Sequence, residues 1–242
     1  MIFKKINAVV FLLFVSLICL STVSAENVDN FTNFQMNDEN AIDELSNSNE
    51  NNNIKSFNDL TKEIQNTQSN SELNLNSDYK FTGTADFEGI TVSGSNIVIN
   101  GNNHIIDANS KFNVKIFNVV GNNITIKNLN IVNANDAIVN SGSLNVINCF
   151  FVNNSAVYGG AIYNKAQGSL NVFDCSFMNN SASEYGGVIY NEYILNVYNS
   201  YFDGNRAHYG GAIANTNGNV SISGSSFVNS SSTEYGGAII NF

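Results

Sequence analysis

From Leu73 onward, apolar residues come in short alternating triplets and almost nowhere in longer runs. LNL (73–75), ITV (90–92), IVI (97–99), ITI (124–126), LNI (129–131), LNV (144–146), LNV (170–172), LNV (195–197) and VSI (220–222) each set two apolar side chains on one side of an extended segment. Gly, Asn, Ser and Asp separate the triplets, so each predicts a strand bounded by turns. Strands this short make poor hairpins but suit the sides of a coil. Upstream the period changes. Ser56 precedes FNDLTKEIQ, where Phe57, Leu60 and Ile64 recur at helical spacing and Asp59 stands where a capping box usually has Glu. This predicts one amphipathic helix over 56–66 that covers one end of the coils.

The triplets belong to a larger repeat. LNVINCFFVNNSAVYGGAIYN begins at 144, LNVFDCSFMNNSASEYGGVIYN at 170, LNVYNSYFDGNRAHYGGAIAN at 195 and VSISGSSFVNSSSTEYGGAIIN at 220, at intervals of 26, 25 and 25 residues. A fixed period of this size means stacked supersecondary units. One turn of a β-solenoid with three short strands needs about this many residues. Equivalent residues on successive coils then lie ~4.8 Å apart and form ladders of like on like. Phe151, Phe177, Phe202 and Phe227, with Ile162, Ile189, Ile213 and Ile239, are expected to point inward as an apolar column. The paired glycines at 159–160, 186–187, 210–211 and 236–237 permit positive φ and close backbone approach at a corner. Asn164, Asn191, Asn215 and Asn241 can hydrogen-bond turn backbone and one another. The fold class is thus all-β, with coils over 73–242 and the clearest repeats over 144–242.

Residues 1–25 read as a signal peptide: Lys4 and Lys5, an apolar run from Ala8 to Leu20 that includes Cys19, then Val23-Ser24-Ala25. A short N-terminal anchor is the other reading of that run. Residues 26–55 are acidic, Asn-rich and low in aromatics, and are expected to be a disordered linker. No later stretch has the roughly eighteen apolar residues of a membrane helix, so no span is expected in the mature chain. The formal net charge of −10 becomes −12 without Lys4 and Lys5. With only Arg206 and scattered lysines in the repeats, no basic patch suits nucleic acid. The chain stops at Ile239-Ile240-Asn241-Phe242, inside a repeat. Either further coils belong after it, or the bare end of the apolar column is where another molecule stacks, and end-to-end self-association is the expectation.

The repeats also carry a family resemblance. F-x-x-N followed by G-G-A-I, once per coil, is similar to the repeat of the chlamydial polymorphic outer-membrane proteins. The arrangement over 56–242, with its SFNDL-type helix, NIVINGNNHIID and LNV…GGAIYN, resembles the adhesin-like surface proteins of methanogenic archaea. The resemblance implies a right-handed parallel β-helix of the pectin-lyase kind.

Pectin-lyase-like folds also host polysaccharide lyases and hydrolases, so an enzyme must be sought in the residues. Asp107, Asp136, Asp174, Glu184, Glu192, Asp203 and Glu234 occupy different coil positions, apart from Glu184 and Glu234, which match two coils apart. They make no converging pair for hydrolysis. Arg206 reads as a solvated turn residue; His104 and His208 lie far apart in coil order. No catalytic residue, cofactor or metal is expected. Cys149 and Cys175 align with Ser200 and Ser225, either as a ladder of small side chains or as a strained disulfide. Tyr158, Tyr185, Tyr209 and Tyr235 form a further row, either packing the corner or offering a stripe for sugar rings. Sequons stand at Asn30, Asn123, Asn153, Asn179, Asn219 and Asn229. The expected function is that of a secreted or cell-surface, adhesin-like binding protein facing glycans or other cells. The alternative is a polysaccharide lyase or hydrolase of the same fold.

Overall fold

The computed structural model describes residues 54–242. The predicted signal peptide with Cys19, the Asn-rich stretch as far as Asn53 and the sequon at Asn30 lie outside the described residues. The helix, α1 (Phe57–Gln65), starts at Ser56, whose hydroxyl accepts from the Asp59 N–H while the Asp59 carboxylate accepts from the Ser56 N–H. This reciprocal pair satisfies two of the backbone donors a helix start leaves open. Phe57, Leu60 and Ile64 are buried, and Phe57 meets the rings of Phe81 and Phe87 edge-on at 5.3 and 5.4 Å.

Every strand pairing is parallel, and the strands stack into two sheets of seven and one of eight, giving a β-solenoid of about seven turns. The chain visits the faces in a fixed order. In the coil that begins at Ser143 they are Ser143–Ile147 on the first face, Phe150–Val152 on the second and Ile162–Asn164 on the third. The register is that of the sequence repeat. Leu144 pairs with Leu170, Phe151 with Phe177, Ile162 with Ile189, and Asn164 with Asn191.

Three strands per coil is an undercount for the later coils. Ser155–Tyr158, Ser181–Tyr185, Arg206–Ala207 and Ser231–Ser232 form a fourth, four-stranded sheet between the second and third faces. No alternating apolar triplet marks these segments. Ala156, Ala182 and Ala207 are the inward residues and are too small to register as a hydrophobic pattern.

The interior is one apolar column. Leu144, Leu170 and Leu195, Phe151, Phe177 and Phe202, and Ile162, Ile189 and Ile213 are all fully buried. The Phe rings stack nearly parallel, with centroids 5.0, 4.8 and 4.5 Å apart from Phe151 to Phe227. Phe227 is partly buried and Ile239 is 40% exposed, because a single neighbouring coil packs on them among the described residues.

The corners explain the Asn content. Asn128, Asn148, Asp174, Asn199 and Gly224 turn the corner after the first face, each with φ between 49 and 62°. Asn133, Asn153, Asn179, Gly204 and Asn229 do the same after the second. Among residues with a side chain, Asn and Asp enter this left-handed region at least cost. In the Tyr-Gly-Gly corner the two glycines differ. Gly159 has a φ of 61°, whereas the second, Gly160, has no positive φ but lies against the backbone carbonyls of Ser181 and Gly187 on the next coil. Only the first glycine of each pair therefore supplies the left-handed turn; Gly160, Gly187 and Gly211, the second of the first three pairs, supply close approach.

Two amide ladders are buried at the corners. Asn140 donates through Nδ2 to Asn164 Oδ1 at 2.7 Å, Asn164 to Asn191 at 2.6 Å, Asn191 to Asn215 at 2.6 Å and Asn215 to Asn241 at 2.5 Å. In the second ladder the Asn154 N–H donates to Asn180 Oδ1 at 3.0 Å and the Asn180 N–H to Asn205 Oδ1 at 2.9 Å. Asn180 Nδ2 donates in turn to the Phe151 carbonyl at 2.9 Å. These side chains supply partners where the turning chain leaves a gap in strand pairing.

Phe177→Asp is expected to lower stability by roughly 3–5 kcal/mol, since it leaves an unpaired charge between Phe151 and Phe202. Chemical denaturation checks this, and a parent-like midpoint would mean the ring is not in the column. Asn191→Leu leaves Asn164 Nδ2 its bonds to the Gly168 and Ile194 carbonyls but strands the Asn215 Oδ1 acceptor, with an expected loss of about 1–3 kcal/mol. The thermal midpoint of that variant should fall well below that of a Glu184→Gln surface control.

Candidate binding surface

The outward side of the last coils carries aromatics in two adjoining rows. The first is the tyrosine before each glycine pair, at or just beyond the end of the fourth-face segment. Tyr158, Tyr185, Tyr209 and Tyr235 follow one another with centroids 6.0, 5.0 and 6.1 Å apart and planes within 21° of parallel. The second row comes from the middle position of the third-face strands. There the flanking Ile and Asn point inward, so the residue between them points out: Tyr163, Tyr190, Ala214 and Ile240.

The rows touch. Tyr158 lies 6.0 Å from Tyr163 and 5.3 Å from Tyr190, with planes tilted by 48 and 31°, and Tyr163 lies 5.2 Å from Tyr190. Phe242 meets Tyr185 and Tyr209 edge-on at 5.7 and 6.2 Å. Tyr158, Tyr163, Tyr185, Tyr190, Glu192, Thr216 and Phe242 line a groove of about 440 Å³. Within the first row the rings cover one another's faces, so that row packs its corner and shows mainly edges. The tilted rings of Tyr163 and Tyr190 break the stack. Tyr158 is 38% exposed and Tyr235 is 65% exposed.

Polar groups set the groove's edge. The Tyr163 hydroxyl donates to Glu192 Oε1 at 3.0 Å, and the Ala166 N–H donates to Glu192 Oε2 at 3.0 Å. Both oxygens of the carboxylate are thereby aimed. Burial pushes the Tyr163 hydroxyl well above the ordinary tyrosine range, and the Glu192 carboxylate that accepts from it adds to the shift. Burial also raises Tyr190. The Lys165 ammonium sits over the Tyr163 ring, 5.5 Å from its centroid.

The other candidates are spread over the solenoid. Asp107 pairs with Lys80 at 3.1 Å and accepts from Asn133, while Asp203 accepts from Tyr201 and Asn229. Asp136 is raised by burial and is half-buried beside the start of the fourth sheet. Asp174 turns a corner with a φ of 52°. His104 meets Asp78 at 2.9 Å near the other end of the solenoid, and His208 meets Thr233 at 2.7 Å. Glu184, His208 and Glu234 succeed one another on the fourth face, where the Tyr209 N–H donates to the Glu184 carbonyl and the Glu234 N–H to that of His208. Arg206 is exposed on that face, in register with Ser181 and Ser231. No group of three or more His, Cys, Asp or Glu among the described residues could hold a metal ion.

Cys149 and Cys175 are buried free thiols, not a disulfide. The Cys149 N–H donates to Cys175 Sγ at 3.4 Å, the Cys175 N–H to Ser200 Oγ at 3.2 Å and the Ser200 N–H to Ser225 Oγ at 3.1 Å. The row asks for a small side chain with an acceptor atom, which Cys and Ser both satisfy. Sequence reasoning missed Tyr163 and Tyr190 and took Glu192 only as one of the dispersed acids. The available signal was the middle letter of IYN, but Ala214 and Ile240 at the matching places end that row after two rungs.

Three segments, 148–165, 174–192 and 199–216, match the Chlamydia polymorphic membrane protein repeat. Each runs from the corner after the first face, through the Phe rung, to the buried Asn of the third face or just beyond it. Neither a curated protein nor a solved structure matches the chain. No helix among the described residues is long and apolar enough to cross a membrane.

Tyrosine ionisation should limit stability at high pH. Burial, then the Asp203 charge, pushes Tyr201 up to about 12, and Tyr79 and Tyr163 lie higher still. A raised value means that the fold prefers the neutral phenol. This contribution is complete below the unfolded value of 10.0. It is lost as pH rises through the folded values. Denaturation midpoints should hold up to about pH 10 and then fall in step with tyrosinate absorbance, and Tyr163→Phe should soften that fall.

Proposed function

We propose that the chain is a surface-displayed β-helix that binds glycans through the tyrosine groove and carries out no chemistry on them. The observation that carries the reading is the meeting of the two aromatic rows at Tyr158, Tyr163 and Tyr190, with an aimed carboxylate beside them. Sugars bring flat apolar C–H faces and a rim of hydroxyls. Exposed aromatic rings and fixed polar acceptors complement both. The match to a membrane-protein repeat and the repeating solenoid support an extracellular, adhesin-like role. The dispersal of the acidic residues supports binding without turnover.

The purified chain should bind a subset of a glycan array. Tyr158→Ala, which removes an exposed ring without opening the column, should weaken binding about tenfold, the equivalent of about 1.4 kcal/mol. Incubation with pectic and host-type polysaccharides should release neither reducing ends nor unsaturated products. Clear turnover would replace this reading with a polysaccharide lyase or hydrolase.

A further inference from the structure

We infer that the tyrosine groove selects glycans bearing a free amine, an alkylammonium on a sugar ring, over neutral or acidic ones. The inference rests on the glycan reading above and narrows it. Its first support is the pairing of ring faces with a carboxylate. An ammonium is drawn to the negative face of an aromatic ring, most strongly where water is partly excluded. Here Tyr158, Tyr163 and Tyr190 converge on the same groove as Glu192.

The second support is how Glu192 is held. Both oxygens accept hydrogen bonds, from the Tyr163 hydroxyl and the Ala166 N–H, each at 3.0 Å. Donors of this kind fix the direction of the carboxylate and bring no positive charge of their own. Neither donor is a cation, so the formal negative charge stays available to a ligand. The carboxylates at the end of the helix differ in this respect, since Glu63 is tied to Lys55 at 2.7 Å.

The third support lies within the chain. Lys165 places its own ammonium 5.5 Å from the Tyr163 ring centroid, so this ring attracts an alkylammonium, and a ligand's amine would take the place of Lys165 there. The surrounding charge agrees in sign. From Tyr158 to the end the bases are Lys165 and Arg206, against Asp174, Glu184, Glu192, Asp203 and Glu234. A sulfated or uronate-rich glycan would meet that field unfavourably, whereas an amine-bearing one would be drawn to it.

The test uses the full chain and two oligomers of one scaffold that differ in charge, a glucosamine tetramer and its N-acetylated counterpart. Calorimetry gives the affinities. Quenching of tyrosine emission is a second readout, since the chain contains no Trp. The amine tetramer should bind at least tenfold more tightly, more weakly as salt rises, and should be displaced by tetramethylammonium chloride. Glu192→Gln should weaken the amine tetramer about fivefold and leave the acetylated one unchanged.

Equal affinities, or a preference for the acetylated tetramer, would overturn the inference and leave the glycan reading standing. So would binding of the amine tetramer that tetramethylammonium does not displace. That competition is run on the parent chain and stays decisive should Glu192→Gln disturb the fold. If neither tetramer binds while neutral glycans on the array do, the inference alone falls. If nothing on the array binds either, both readings fall.

Discussion

The structure depends on one constraint: each coil must lie on the next in parallel and in register, so that a residue meets its counterpart and little else. Within a strand the backbone satisfies itself against the neighbouring coil. At a corner it turns away, and the N–H groups there would be buried without partners. In the later coils the chain meets this by placing a short acceptor side chain at the inner corner, Cys or Ser after the first face and Asn after the second, aimed at the N–H of the coil before it. An unpaired buried donor costs about as much as a favourable contact gains. The corner rows therefore secure the register that lets Phe151, Phe177 and Phe202 stack into one column.

The tyrosine groove arises from the same constraint. Stacking turns any outward residue into a row if it recurs, and the tyrosine before each glycine pair recurs four times. A row of parallel rings is self-satisfied, since each face is covered by the next. The groove comes from the interruption of that order. A second, shorter row, tilted against the first, meets it beside Glu192 and forms the groove between them. Regularity builds the scaffold, and departure from it builds the groove.

Much of the architecture was legible because β-solenoid physics writes itself into sequence as repetition. The inward Phe and Ile positions, the Asn164 ladder and the helix at Ser56 all come from period and spacing. The fourth sheet did not, because its inward residues are Ala156, Ala182 and Ala207, whose burial leaves no amphipathic trace. Nor did the separate duties of Gly159 and Gly160, which need the position of the next coil's carbonyls. The left-handed φ at the corners, which the alternation of apolar residues does not reveal, accounts for much of the Asn content. Tyr190 and Glu192 were hidden for a further reason. A site formed where two rows cross joins residues of adjacent coils that no single repeat displays together.

The direction of the amide ladders has an electrostatic consequence. On the inside, from Asn140 to Asn241, each side-chain amide donates toward the later coil. On the outside of the first face the sense is reversed: Asn196 donates to Asn171 and Asn171 to Asn145, toward the earlier coil. Side-chain amides carry dipoles, and a single aligned file of them would accumulate an axial potential with every turn added, as peptide units do in a helix. The inner Asn154 ladder shares the sense of the first, and the corner amides Asn148 and Asn128 share that of the outer row, so files of opposite sense oppose one another's dipoles. A solenoid built this way can be lengthened one turn at a time without charging its ends, which leaves its reach free to be set by the number of turns alone.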